Sequence, residues 1–212
     1  MNTTSTVTHY NFSAIQLDAL REIGNVGAGN AATALGQLLD KVVMIDVPRV
    51  QLLSLDTLNT SDFLKEPKEI SLAIYSKILG PLQGGLLVLF SKNDSLRMSD
   101  LLLKKTAGTT ALLTLVDMSA LSETAYILCC SYLNAVGQIL NLQDLTPIIP
   151  QVAVDNIDNI NKVLVKKFVG NEISHIMSTE NYIIIEDIAL TIFITLLLEQ
   201  ESVKKAFEIL GM

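Results

Sequence analysis

Ala34-Leu-Gly-Gln-Leu-Leu39 recurs as Ala135-Val-Gly-Gln-Ile-Leu140, displaced by 101 residues. The same offset carries Leu20 onto Leu121, Glu22 onto Glu123 and Asp18 onto Ser119. Matches that stay in register along two stretches of helical periodicity mark an internal duplication. The chain therefore reads as a single domain, 1–212, made of two fused repeats at about 13–105 and 117–211. Each repeat has the same order of elements. Ser13-Ala-Ile-Gln16 has the spacing of a capping box, and the helix it opens should run to about Leu39, with Leu17, Leu20, Ile23, Leu35 and Leu38 on one side. Strand-forming segments follow around Val42 to Leu53 and Ile70 to Leu79. A turn at Gly80-Pro-Leu-Gln-Gly84, a strand through Phe90 and a helix from about Asn93 to Lys105 complete the copy. The second copy reads as a long helix from about Asp117 to Leu140, a short strand near Gln151 to Val154 and a helix near Asn156 to Phe168. Strands at Ile173 to Ile185 and Ala189 to Leu198 then lead into a closing helix from Gln200 to Leu210. The last two strands of each copy are close enough in sequence for hairpins. The expected fold is α+β: a pseudo-two-fold duplicated domain with a largely antiparallel sheet, two long motif-bearing helices on its surface and further helices packed around it.

Composition narrows the function. Half of the 212 residues are hydrophobic and 17% are charged, enough apolar surface to offset the entropy of ordering a chain of this length. A net charge of −7 argues against nucleic acid, because a phosphate-backbone binder needs a basic surface. The longest apolar run, Ala189 to Leu198, is about half a membrane span and reads as a buried strand, so no membrane insertion is expected. The first residues lack the basic and apolar regions of a secretory signal, which places the protein in the cytoplasm. Cys129 and Cys130 are adjacent and cannot close a structural loop; they stand where the first long helix has small residues and read as core thiols. With His9 and His175 isolated in sequence, no metal site is expected.

At about 100° per residue, Asp18, Glu22, Asn25 and Gly29 share one stripe of the first helix, opposite Leu20, Ile23, Gly27 and Ala31. The stripe should face solvent, with Gly29 and Ala32 too small to obstruct an approaching surface. Taken alone, a carboxylate and an amide on such a face are most simply a solvated surface. Gly24, Gly27, Gly29 and Gly36 shift that balance. Each costs up to about 1 kcal/mol in a helix, so close packing or close approach must favour them. The Gly24-Asn-Val-Gly27-Ala-Gly29 run is not a dinucleotide loop, because helix rather than strand leads into it.

The stretch Leu17 to Val50 resembles the CheC/FliY/CheX family of chemotaxis phosphatases, whose signature is Asp or Ser, then Glu, Asn and a distant Pro. Asp18, Glu22, Asn25 and Pro48 match it at every spacing. The resemblance implies hydrolysis of the aspartyl phosphate of the response regulator CheY. Asn25 would hold the attacking water and Glu22 would pair with a lysine of the regulator, with Asp18 and Pro48 supporting the motif. It implies no cofactor of the chain's own, since Mg²⁺ would arrive with the phosphorylated CheY. It also brings in CheD as a candidate partner, and a mainly non-catalytic adaptor binding CheD or CheY as the alternative function. The doubled site region resembles CheC more than the single-copy, dimerising CheX, so a monomer is expected, and no appended flagellar-switch domain is expected. In the second copy Ser119 and Glu123 keep the first two positions, but Tyr126 stands where the first has Asn25, and Ile149, between Pro147 and Pro150, falls at the motif proline. The second site should be weak or dead.

Overall fold

The structure is a computed structural model and describes residues 12–46, 49–54, 70–156, 175–185, 188 and 190–212. Twelve elements follow one another within these residues, and their order runs twice through helix, four strands and helix. The first round comprises α1 (Ala14–Leu39), β1 (Val43–Ile45), β2 (Arg49–Ser54), β3 (Ile70–Leu79), β4 (Gly84–Ser91) and α2 (Lys92–Leu102). The second comprises α3 (Leu115–Ile139), β5 (Thr146–Pro147), β6 (Gln151–Asn156), β7 (His175–Ile185), β8 (Leu190–Glu199) and α4 (Gln200–Ile209). Among the described residues, four helices on a large antiparallel sheet give the α+β class expected from the sequence.

Local chemistry sets both ends of the long helices. Ser13 accepts from the Gln16 backbone N–H while the Gln16 side chain accepts from that of Ser13, closing the capping box. The chain leaves α1 through Asp40 in the left-handed conformation. At the start of α3, Thr114 and Asp117 form a second capping box at the corresponding positions. Here the acid is buried. Lys105, Ser99 and Thr114 all donate to the Asp117 carboxylate and hold it well below the usual range. Helix α3 thus begins two residues before the expected Asp117.

The sheet has eight strands in the order β1-β7-β8-β4-β3-β5, with β2 also on β7 and β6 also on β3, and every pairing is antiparallel. Two hairpins, β3–β4 and β7–β8, meet along β4 and β8 at the centre. The flanking strands are exchanged: β1 and β2 pair with β7 of the second round, whereas β5 and β6 pair with β3 of the first. Strand β4 is buried from Gly84 to Phe90, which explains its unbroken apolar run. Gly80 and Gly84 bound the first hairpin turn at φ of 117° and 154°, and a side chain at either would strike backbone carbonyls of Asp144 or Leu197.

Helices α1 and α3 pack against each other, and Phe12 meets Phe207 of α4 edge to face at 5.7 Å. Two readings change, and a third falls largely outside the described residues. Strand β5 is absent from the sequence reading because two residues that include a proline carry no local strand signal and pair only with distant β3. Leu38, expected on the apolar side, is 45% exposed at the last turn of α1. The helix expected near Asn156 to Phe168 falls on 157–174, outside the described residues, and Asn156 itself ends β6.

Candidate functional site

The outer stripe of α1 is where the helical periodicity puts it. Asp18, Glu22 and Asn25 are exposed, while Leu20, Ile23, Gly27 and Ala31 are buried beneath them. Asp18 is engaged: Arg21 donates to its carboxylate at 2.7 Å, one turn along the same face. Glu22 and Asn25 differ in having no hydrogen bond or ion pair within the described structure. A carboxylate and an amide three residues apart on a helix have Cβ atoms about 5–6 Å from each other, so both can reach one incoming group.

The glycines divide into two sets. A side chain on Gly24 would collide with Thr179 of β7, and one on Gly27 would come within 2.4 Å of the Tyr132 ring of α3. These two let α1 lie close on the sheet and on its partner helix. Gly29 faces outward, with only Ile45 Cδ1 at 3.9 Å, and leaves the surface beside Asn25 flat and open. Ala32, expected to border this surface, is instead buried at 5% exposure and belongs to the core. Below the stripe, the wholly buried Tyr132 hydroxyl and Asn181 amide lie side by side without a hydrogen bond of normal geometry. Burial pushes the Tyr132 phenol above the usual range and Asn181 pulls it back. Pro48, the distant member of the motif, lies outside the described residues, as does His9.

On α3 the corresponding stripe carries exposed Ser119 and Glu123 and half-buried Tyr126 and Cys130. Tyr126 is held above the usual tyrosine range, first by the charge an ionised Cys130 would place beside it and then by their mutual hydrogen bond. Burial raises Cys130 and the Tyr126 bond partly offsets it. The expectation of two core thiols therefore holds for one of the pair. Cys129 is fully buried, with its thiol pushed up to about 12, whereas Cys130 takes the outward place that Gly29 has on α1. An amide at Asn25 thus has a bulky phenol as its counterpart, and an open glycine has a thiol. Among the described residues no helix is long and apolar enough to cross a membrane, and no cluster of His, Cys, Asp and Glu is gathered that could hold a metal ion.

Fold and stripe together define a duplicated α+β protein with one unengaged acid–amide pair on the outer face of a long helix. A family model described as "CheC-like family" matches residues 15–52, which contain that pair. The CheY-P phosphatase CheC of Bacillus subtilis (strain 168) is 32% identical over 147 residues, covering 66% of this chain and 66% of that protein. Over these stretches the chain is similar to the CheC-like family. The aligned stretch spans just under two thirds of the curated relative. Thermotoga maritima FliY has the same fold, with a TM-score of 0.78 at 21% identity over 95% of this chain and 98% of that one. A chain of the FliG-FliM complex from H. pylori also shares it, with a TM-score of 0.62 at 16% identity over 91% and 98%.

Proposed function

We propose that the chain is a phosphatase of the aspartyl phosphate on the chemotaxis response regulator CheY, working through Glu22 and Asn25. One observation carries the proposal: within the matched stretch, these two side chains stand exposed and unpartnered, one turn apart, beside the open ground at Gly29. The name of the Bacillus subtilis relative supplies the substrate.

The residue types suit the reaction. An amide is too weak a base to take a proton from water, but its oxygen accepts from water and its NH₂ donates, so Asn25 can hold a water in line with the phosphorus. Phosphoryl transfer asks for positioning and for stabilisation of charge on the phosphoryl oxygens. The regulator contributes the latter with its own lysine and Mg²⁺, so this chain needs no cofactor of its own. Glu22 pairs with that lysine and sets the register of the two surfaces. The short Asp18–Arg21 pair keeps Asp18 beside this contact without entering it. Such a protein works in the cytoplasm, as a monomer.

The second reading is an adaptor that binds CheY or CheD without turnover. It is favoured by Tyr126 in place of an amide on α3 and by the likeness to a chain of the FliG-FliM complex. Decay of phosphorylated CheY in the presence of wild-type protein and of Asn25→Ala separates the two. A phosphatase speeds decay, and Asn25→Ala slows it by about two orders of magnitude. Wild-type activity in folded Asn25→Ala removes the proposed mechanism, and no acceleration by either protein favours the adaptor.

A further inference from the structure

The relic second site has changed character in a way that the loss of one amide does not explain. Alongside α3 lies an open trough of about 980 Å³, floored by Val152 and Val154 of β6 and walled by Leu115, Met118 and Tyr126 of α3 and by Ile149. Ile149 and Leu115 are 82% and 79% exposed. A second cavity of about 450 Å³ shares Met118 and Val154 with the first and runs on past Leu112, itself 77% exposed, to Lys92 at the start of α2. Apolar side chains scattered singly on a surface need no explanation, but a continuous lined trough does.

Comparison of the two long helices shows what was exchanged. Where α1 presents Asp18, Arg21 and Asn25, α3 presents Ser119, Ser122 and Tyr126, so the charged groups are gone and an aromatic wall has appeared. Glu123 alone keeps its charge among the described residues lining the larger cavity. Neither Glu123 nor Lys92 has an ion pair within the described structure. The trough therefore has a lone anion toward one end, a lone cation toward the other and apolar walls between.

We infer that this trough receives one amphipathic helix of a partner protein, with its apolar stripe on Met118, Val152 and Val154, a basic residue over Glu123 and an acidic residue over Lys92. The shape selects a helix. A groove with a helix for one wall and a sheet face for its floor is the space into which a further helix packs, about 8–10 Å from its neighbour. The stretch from Leu115 to Tyr126 is about 17 Å long at 1.5 Å per residue, which matches three turns of a bound helix anchored at i, i+3, i+4 and i+7. Docking here is independent of phosphatase activity at the first site, so an inactive protein would leave it standing.

The probe is a fluorescein-labelled synthetic peptide of about 14 residues, with leucines at helical spacing, a lysine near one end and a glutamate near the other, titrated with full-length protein by anisotropy. Ile149→Glu and Leu115→Glu sit on exposed positions, and unchanged urea midpoints confirm that both still fold. Each should weaken binding about tenfold. Glu123→Lys should weaken it severalfold, and a peptide with its lysine changed to glutamate should recover the loss. Equal affinity across these variants overturns the inference, as does the absence of binding by wild type at about 1 mM peptide. It is overturned equally by a wild-type dimer that Ile149→Glu makes monomeric, since a second copy then covers the face. Shielding of Leu115 and Ile149 from hydroxyl-radical labelling in the free monomer also overturns it, because the chain then covers the face itself.

Discussion

Replacing Gly27 with Ala and replacing Gly29 with Ala should move stability in opposite directions, although both residues sit in the middle of α1. A Cβ at Gly27 lies 2.4 Å from one Tyr132 ring carbon and 2.6 Å from two others. Carbon atoms rest at about 3.5–4.0 Å, so the ring must retreat by about 1 Å. Tyr132 has no exposed surface and no space to retreat into. Overpacking of this kind costs about 1–3 kcal/mol, and contact with three atoms of a locked ring puts the change in the upper part of that range. Alanine recovers up to about 1 kcal/mol of helix propensity, leaving a net loss of about 1–2 kcal/mol and a melting temperature lower by about 2–8 °C. At Gly29 the nearest atom is Ile45 Cδ1 at 3.9 Å, an ordinary contact, so the propensity gain of about 0.5–1 kcal/mol is kept. Urea unfolding followed by far-UV circular dichroism reads both. Tyr132→Leu should rescue Gly27→Ala in a double-mutant cycle, because it removes the ring that the methyl strikes. A Gly27→Ala protein as stable as wild type, or losses that simply add in the cycle, would refute the packing described for α1 and α3.

Asp117→Asn should destabilise the protein by about 2–3 kcal/mol at neutral pH, since it removes the charge that Lys105 faces while Lys105 stays partly solvated. Because the folded carboxyl titrates below its unfolded value, that stabilisation is complete above about pH 4 and drains away as pH falls toward the folded value. The gap between the urea midpoints of wild type and Asp117→Asn should therefore narrow steadily as pH falls below about 4, and a gap unchanged between about pH 5 and pH 2 would contradict the assignment. On the enzymatic side, Glu22→Gln should raise KM for phosphorylated CheY with a smaller effect on kcat, because Asn25 is still in place. Glu123→Ala should leave the same titration near wild type, and equal losses from the two would show that Tyr126 serves in place of the missing amide.

Helix α1 was legible in its course, because its signals are local: a capping pair at Ser13 and Gln16 and a periodic apolar side that runs to about Leu39. The same periodicity gave the outward stripe and thereby Asp18, Glu22 and Asn25 as neighbours. What could not be read is what depends on partners distant in the chain. Nothing in β1, β2, β5 or β6 records which repeat's hairpin it will join, and Thr146–Pro147 becomes a strand only because Ile78 and Leu79 are opposite it. Asp117 reads as the first residue of a helix, yet it is a buried acid whose donors Ser99 and Lys105 come from α2 and the segment after it. The Thr114–Asp117 spacing was the available signal. Cys130 went astray for a related reason: one residue's step along α3 turns it from the core, where Cys129 lies, to the Tyr126 side.

The exchange of flanking strands makes the two repeats behave as partners held at very high effective concentration by the segment between Leu102 and Leu115. Severed there, the halves would have to find each other in solution before either could complete its sheet, and assembly would depend on protein concentration. Intact, the chain must close long loops before these pairings form, which makes folding slow for its size. The tether also bears on what selection can discard. Strand β7 of the second repeat supplies Thr179 and Asn181 beneath Gly24, and α3 supplies Tyr132 against Gly27. The repeat that carries Tyr126 where the other has Asn25 is thus the foundation on which Glu22 and Asn25 are held.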